Sequence, residues 1–162
     1  MTDTKLKVGL AQIAPVWLQR KATIDKVVAW IDDAAGQGCA LVAFGEALVP
    51  GYPFWVERTE GAKFESDLQK SLFSHYVRQG VCIEDGDLDP VCKAARKNNI
   101  AVYVGIMERA ANRGGHSLYC SMVYIDASGA IGSVHRKLMP THEERLVWAI
   151  GDGNGLRTHK LG

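Results

Sequence analysis

Two ionisable residues, Glu46 and Lys137, stand just beyond apolar, strand-like segments, Glu46 after "CALVAFG" and Lys137 after "AIGSVHR". Catalytic groups of open α/β sheets gather beyond the carboxyl ends of strands. Burial raises the pKa of a carboxylate and a nearby cation lowers it again, so such a pair can exchange protons near neutral pH. We expect the two side chains to converge in one dry pocket, although a strand-end carboxylate that simply faces solvent is the commoner case.

The segment that follows Glu46 is stiff and aromatic. It holds two prolines that fix φ, a glycine that permits a tight bend and three aromatic side chains. These residues are Pro50, Gly51, Tyr52, Pro53, Phe54 and Trp55. The composition predicts one wall of a largely apolar pocket, with Tyr52 and Trp55 as substrate-binding candidates. Trp148 is a further candidate because it lies close to Glu144 in the sequence.

Three segments together resemble the nitrilase branch of the carbon-nitrogen hydrolase superfamily. They are "KVGLAQIAPVW", "AFGEALVPGYPFWV" and "HRKLMPTHEERLVWAIGDG", and they occur in the family's order across essentially the whole sequence. Long motifs with matching flanks are far more specific than a lone short pattern. The resemblance implies an α/β fold, the four-layer αββα sandwich, of which a single domain over residues 1–162 would form the amino-terminal portion with a mixed sheet.

The resemblance also implies roles for three residues. In the family a glutamate is the general base, a lysine stabilises the tetrahedral intermediate and a cysteine attacks the nitrile or amide carbon. Glu46 resembles the base, Lys137 the lysine, and Glu144 the second glutamate, which orients the lysine and the substrate; the neighbouring Glu143 fits the register less well. The residue types suit the chemistry, since a thiol needs a base and developing negative charge needs a fixed cation.

The nucleophile is the part of the family pattern that this sequence lacks. In relatives it belongs to a Cys-Trp-Glu motif after the "GDG" turn, and the sequence ends at Gly162 before such a motif. The four cysteines match no nucleophile position and are expected to be reduced, small apolar residues; they are Cys39, Cys82, Cys92 and Cys120. We expect an incomplete amino-terminal part of a nitrilase, inactive alone. The alternative is a short natural product that cannot catalyse the reaction.

The implied reaction converts a nitrile to a carboxylic acid and ammonia through a thioimidate and a thioester on cysteine, without a metal or an organic cofactor. The full-length protein is expected to form homo-oligomers, as the family commonly does. An amidase or a cyanide-degrading relative would share Glu46, Lys137 and Glu144. The alternative of another class is a noncatalytic interaction fragment that pairs through its open sheet edge.

Composition excludes several other functions. With 47% apolar and 23% charged residues, the chain has the composition of a globular domain, and its net charge of +1 with dispersed basic residues gives no footprint for nucleic acid or acidic membranes. We expect a small, uncharged partner. No signal peptide precedes the first strand, which predicts a cytoplasmic protein. His142 and Glu143 begin like a zinc protease motif, but Leu146 occupies the second ligand position, so no metal site is expected.

The remaining pattern predicts the elements that must position these residues. Strands are expected at 5–14, which should be central, and at 39–44, 100–108, 118–126 and 130–138, with helices at 19–35, 63–79 and 88–98. The first two strands should be parallel and the last two an antiparallel hairpin, which makes the sheet mixed. A further strand is expected from Leu156, and Trp30, which falls near the first helix's apolar stripe, is expected to be a packing residue.

Overall fold

The computed structural model describes residues 5–161, so residues 1–4 and 162 of the predicted domain lie outside the described part. In the described part the sheet has five strands, in the order β1-β2-β3-β4-β5. They are β1 (Val8–Ala11), β2 (Leu41–Phe44), β3 (Ala101–Arg109), β4 (Leu118–Ile125) and β5 (Ile131–Arg136). The pairs β1-β2 and β2-β3 are parallel, and β3-β4 and β4-β5 are antiparallel. The predicted α/β class, the mixed sheet and its terminal hairpin are confirmed.

Within residues 5–161, four α-helices and one 3₁₀ helix accompany the sheet. They are α1 (Arg20–Gly36), α2 (Trp55–Arg58), α3 (Asp67–Arg78), α4 (Asp89–Asn98) and the 3₁₀ helix at His142–Leu146. Helices α1 and α4 share the main apolar core with one face of β2, β3 and β4. Over the described residues, no helix combines the length and the apolar character that crossing a bilayer requires.

Strand direction decides which residues meet at one edge of the sheet. Since two antiparallel steps separate β3 from β5, β5 runs in the same direction as β2 and β3. The carboxyl ends of these three strands and the start of β4 therefore lie at the same edge. The residue after β5 is Lys137, and Glu46 follows the end of β2 by two residues. The topology alone brings together backbone positions that are 91 residues apart.

The sheet face opposite α1 and α4 is covered differently. Its small apolar cluster contains Leu41, Ala101 and Tyr124, with Tyr103 and Leu161 packed against it. The His159 ring stacks on Tyr124 with 3.8 Å between the ring centroids. The final segment therefore crosses this face as an irregular extension, and the strand predicted from Leu156 is wrong within the described residues.

The expectation that the first strand is central is also wrong, because β1 forms one edge of the described sheet. Val8 and Leu10 point away from the helix-covered face, and Leu10 is 82% exposed. Alternation in a strand identifies the residues that share a face, but it does not say whether that face is covered. Helix α1 also departs from the expectation. Trp30 in this helix, which was expected to pack, is 40% exposed.

The third predicted helix starts later than the pattern indicates. Ser66 caps α3 by accepting a hydrogen bond from the Gln69 N–H at 3.4 Å, so the helix begins at Asp67. Phe64 lies before this cap and is 89% exposed, while Leu68 in the first turn is also exposed. The local hydrogen bond of a serine N-cap therefore overrides the apolar spacing that extends upstream of it.

Replacing Ile106, which is fully buried in the core, with alanine should lower the free energy of unfolding by about 2–5 kcal/mol. Leu10→Ala should change it by less than about 0.5 kcal/mol, because most of that side chain already contacts solvent. Urea unfolding of the two variants measures the difference. A comparable loss in both would mean that the outer face of β1 is buried in solution.

Candidate active site

Glu46 lies in a constrained stretch at the start of the long connection between β2 and β3. After β2 ends at Phe44, Ala47 adopts the left-handed region with φ of 48°. The Val49 N–H then donates to the Gly105 carbonyl at 3.1 Å, and the Met107 N–H donates to the Val49 carbonyl at 2.7 Å. The backbone on both sides of Glu46 is thus tied to the sheet, which fixes where its side chain starts.

Gly105 in β3 makes room for this connection. A Cβ atom on Gly105 would lie 2.1 Å from the Gly45 carbonyl oxygen and 2.8 Å from the Glu46 Cα. Real Cβ atoms do not approach backbone so closely, so a side chain here would push the connection off the sheet. The glycine is therefore part of the geometry that positions Glu46.

Lys137 is held just after β5 by backbone bonds on both sides. Its N–H donates to the Cys120 carbonyl at 2.7 Å, and its carbonyl accepts from the Gly151 N–H at 3.0 Å. The Lys137 Nζ lies 2.8 Å from Oε1 of Glu46 and 3.1 and 2.9 Å from Oε1 and Oε2 of Glu144. One ammonium group is therefore shared by two carboxylates.

The three side chains meet in one place, but the place is not dry. The Glu144 side chain is 6% exposed, that of Lys137 is 27% exposed and that of Glu46 is 50% exposed. The expected dry pocket is therefore wrong for the described residues. Solvent reaches the site from the side of Glu46, while Glu144 forms its buried end.

Glu144 is fixed by a capping box at the start of the 3₁₀ helix. Its Oε2 accepts from the Thr141 N–H at 2.7 Å and from the Thr141 hydroxyl at 3.2 Å. Its Oε1 accepts from the Tyr52 hydroxyl at 3.3 Å. The neighbouring Glu143 is exposed, and Glu144 is the residue of this pair that contacts Lys137.

These contacts shift the ionisation of the site. Burial lowers the pKa of Lys137, but the hydrogen bonds and charges of Glu46 and Glu144 outweigh it and hold that pKa above its ordinary value. Burial raises the pKa of Glu144, but the bonds from Thr141 and Lys137 outweigh it and hold that pKa below its ordinary value. Burial and the charge of Glu144 raise the pKa of Tyr52 to about 12. The ammonium and the carboxylate therefore remain charged, and the phenol remains neutral, at neutral pH.

Two of the three aromatic candidates adjoin the charged cluster. Tyr52 and Trp148 pack edge to face with 5.5 Å between their ring centroids, and the Lys137 Nζ lies 5.9 Å from the centroid of the Trp148 ring. Trp55 is 5% exposed and packs against Tyr76 with 6.2 Å between the ring centroids. Trp55 supports the fold beneath this region, and it does not line the cavity beside Glu46.

That cavity has a volume of about 230 Å³. Its lining residues are Glu46, Cys120, Ser121, Met122, His135 and Lys137. Cys120, interpreted from the sequence as a small apolar residue, is indeed buried, but its thiol also donates to Glu46 Oε1 at 3.4 Å. The alternation of β4 was the signal for this placement, because it puts Cys120 and Met122 on one face.

A second ionic cluster lies on the other face of the sheet, behind the site. Arg136 makes a bidentate pair with Glu108, at 2.6 Å from Nη2 to Oε1 and 2.9 Å from Nε to Oε2. Ser121 also donates to Glu108 at 2.7 Å, and Asp152 accepts from Arg136 at 3.0 Å. The hydrogen bonds that Arg136 donates to Glu108 lead the causes that raise the pKa of Arg136. This cluster anchors the end of β5 from which Lys137 projects.

Within residues 5–161, no three His, Cys, Asp or Glu side chains come close enough together to hold a metal ion. The two carboxylates of the site instead share the single ammonium group of Lys137. What the arrangement offers chemically is a fixed cation, a half-exposed carboxylate beside a cavity and a buried carboxylate that orients the cation. Such a set can accept a proton and stabilise negative charge on a bound molecule.

Comparison with known sequences identifies the family to which the chain is similar. The profile described as carbon-nitrogen hydrolase matches residues 7–160. A protein named Nitrilase 2, from an unknown prokaryotic organism, is 35% identical over 96% of this chain and 48% of its own length. An aliphatic nitrilase of Rhodococcus rhodochrous is 38% identical over 96% of this chain and 40% of its own length.

Solved structures with the same fold are about twice as long as this chain. An amidase from Nesterenkonia sp. aligns with a TM-score of 0.65 at 17% identity, covering 91% of this chain and 48% of the amidase chain. A carbon-nitrogen hydrolase from Helicobacter pylori aligns with a TM-score of 0.63 at 20% identity, covering 91% of this chain and 45% of the other. The predicted carbon-nitrogen hydrolase type of α/β fold is confirmed, and the chain spans less than half of the length of each of these proteins.

Gly105→Ala should lower the free energy of unfolding by about 1–3 kcal/mol, because the connection that carries Glu46 must move to admit a methyl group. The matched control is Gly36→Ala at the end of α1, where an added Cβ meets nothing within 4 Å. Urea unfolding of both variants provides the measurement. Equal stability of the two would show that the Gly45–Ala47 backbone does not rest on β3.

Acid should weaken the fold partly through Glu144. Its pKa in the folded chain lies below the ordinary value of 4.5, so its stabilisation is fully present above that pH and is lost as pH falls through the folded pKa. Glu144→Gln should lower stability at pH 7 by about 1–3 kcal/mol and flatten the decline below pH 4.5. Glu143→Gln, at the exposed neighbour, is the control for urea unfolding measured against pH. Parallel curves for wild type and Glu144→Gln would contradict this assignment.

Proposed function

Because this chain belongs to the carbon-nitrogen hydrolase family, we propose that the protein carrying it hydrolyses a nitrile to a carboxylic acid and ammonia. The observation on which this rests is the Lys137 ammonium held between the carboxylates of Glu46 and Glu144, beside an open cavity. In this proposal Glu46 is the general base, Lys137 stabilises developing negative charge and Glu144 orients Lys137. Tyr52 and Trp148 flank the site on its aromatic side.

The proposed reaction uses each of these properties. Glu46 takes the proton of a cysteine thiol, and the thiolate sulfur bonds to the nitrile carbon while the nitrogen gains a proton, which gives a thioimidate. Water adds to that carbon, the carbon-nitrogen bond breaks, and ammonia departs. The product of this step on the cysteine is a thioester. A second water then releases the carboxylic acid and the thiol. Lys137 stays close to the negative charge that develops in each addition step.

We propose that the nucleophilic cysteine comes from sequence beyond residue 162. The first support is length, since the chain covers 48% of Nitrilase 2 and 40% of the aliphatic nitrilase. The second is the state of Cys120, which alone among the cysteines of the described residues lines the cavity. Burial and the charge of Glu46 raise the pKa of its thiol, which is the opposite of what activates a nucleophile.

A nitrile is preferred over an amide because of the sequence relatives. The proteins at 35–38% identity carry nitrilase names, among them a bromoxynil-specific nitrilase of Klebsiella pneumoniae subsp. ozaenae at 36% identity over 96% of this chain and 42% of its own length. The Nesterenkonia amidase, at 17% identity, shares only the fold. Product analysis separates the possibilities: acid and ammonia from a nitrile fit the proposal, whereas turnover of amides alone supports an amidase, and turnover of cyanide alone supports a cyanide-degrading relative.

A noncatalytic role is the second candidate, and the edge strand favours it. In the described sheet β1 has one unpaired side, and Leu10 on its uncovered face is 82% exposed. Such an edge can pair with another chain. A stable assembly on size exclusion, formed through β1 and without hydrolysis by the full-length product, would support this role. Homo-oligomerisation of a catalytically active full-length protein in the cytoplasm is instead the expectation of the nitrilase proposal.

In the longer protein, Glu46→Gln should lower kcat for a nitrile by about 10²–10⁴-fold, because the amide cannot take up the thiol proton. The fold should persist, since the side chain is half exposed. Glu143→Gln is the matched control and should leave the rate unchanged, because this exposed residue does not contact Lys137. Ammonia release and far-ultraviolet circular dichroism measure the two properties. Near-normal turnover by Glu46→Gln would remove Glu46 from the mechanism.

A further inference from the structure

We propose that Cys120 is a positioning residue for Glu46: its thiol, together with Lys137, holds one carboxylate oxygen so that the other faces the reaction. The inference rests on the proposed function for its catalytic meaning. It assigns a role to a side chain that the reaction scheme leaves unused. The contact itself, however, is a property of the 162-residue chain and can be tested without any turnover.

Both donors use the same oxygen of Glu46. The Cys120 thiol donates to Oε1 at 3.4 Å, and the Lys137 ammonium donates to Oε1 at 2.8 Å. Among the described residues, Oε2 of Glu46 has no hydrogen-bond partner. Half of the Glu46 side chain is exposed. Two donors that approach one oxygen, one from β4 and one from the residue just after β5, restrict rotation of the carboxylate. The unbound oxygen is therefore presented in a fixed direction.

Residue 120 contacts both members of the charged pair, by different groups. Its side chain reaches Glu46, whereas its carbonyl accepts the Lys137 N–H at 2.7 Å. The second contact is a backbone bond at the start of β4, so it survives any side-chain substitution. Changing the Cys120 side chain therefore alters the restraint on Glu46 and leaves the backbone restraint on Lys137 in place.

Neighbouring residues of β4 supply one donor to a carboxylate on each face of the sheet. Ser121 donates to Glu108 at 2.7 Å on the helix-covered face, and Cys120 donates to Glu46 on the other. Alternation of side chains along a strand produces this division. On the helix side, Arg136 engages both oxygens of Glu108, but on the cavity side only one oxygen of Glu46 is engaged. The cavity side therefore keeps a free acceptor.

The surroundings of Cys120 do not suit a nucleophile. The residue is 4% exposed, and its thiol already points at Glu46. Because so little of the residue is exposed, a substrate carbon has little access to the sulfur. Burial and the carboxylate also oppose formation of the thiolate. A neutral thiol that donates a weak hydrogen bond is the form that this environment stabilises.

The kinetic test compares Cys120→Ala with Cys120→Ser in the longer protein. Alanine removes the donor and should lower kcat by about three- to tenfold with little change in KM, since the loss of one hydrogen bond has roughly this effect. Serine keeps a donor and should recover most of the lost kcat. A purely packing role predicts the reverse order, because a buried hydroxyl is less favourable than a methyl group. Cys82→Ala, at a buried cysteine outside the cavity, is the control.

The second test uses infrared spectroscopy on the 162-residue chain. The difference between the spectra of wild type and Cys120→Ala isolates the S–H stretching band of Cys120. In a Glu46→Ala background that band should move to higher frequency, as the acceptor is gone, whereas Glu57→Ala should leave it in place. An unmoved band overturns the inference, and so does full kcat in Cys120→Ala. A shifted band in a protein whose full-length form hydrolyses no nitrile would support the contact and reject the proposed function.

Discussion

The Lys137 ammonium between two carboxylates is the interaction on which the rest of the site depends. Glu46 and Glu144 come from different parts of the chain, and each contacts Lys137 within about 3 Å. Two carboxylates that face one position repel each other unless a cation lies between them. Lys137 removes this repulsion, and the two carboxylates in turn keep Lys137 charged. The cluster therefore joins the end of β2, the end of β5 and the 3₁₀ helix in a single electrostatic unit.

Much of this arrangement could be predicted from the sequence because it follows from strand direction. The apolar runs indicated β2, β3, β4 and β5, and the short turn between the last two required an antiparallel hairpin. Residues that follow strands of the same direction must share an edge of the sheet, so the meeting of Glu46 and Lys137 follows from topology. The pairing of Lys137 with Glu144 was implied by the resemblance in the "HRKLMPTHEER" segment, and Thr141 supplies its physical basis through the capping box.

What could not be predicted depends on the surroundings of each residue. Periodicity identifies residues on a common face, but Leu10 and Trp30 show that it does not identify which face another element covers. Phe64 lies outside α3 because the Ser66 cap makes the helix begin at Asp67, although the apolar spacing continues upstream. Trp55 and Tyr52 are three residues apart in one aromatic segment, yet one packs into the fold and the other reaches Glu144. The direction of each side chain depends on tertiary contacts that have no local signature.

The two consecutive cations at the end of β5 differ in how completely their partner carboxylates are paired. Arg136 and Lys137 point to opposite faces of the sheet. The Arg136–Glu108 pair is buried, bidentate and stacked against the Tyr119 ring at 4.2 Å from its centroid, so its bonding capacity is used within the fold. The Lys137–Glu46 pair is half exposed and leaves one oxygen of Glu46 without a partner among residues 5–161. Both oxygens of Glu108 are used in holding the end of β5 in place. Glu46 keeps one oxygen that can still accept a proton. In the proposed reaction, the chemistry therefore falls to the less completely paired carboxylate, Glu46, and the Arg136–Glu108 pair supplies the rigidity that this chemistry needs.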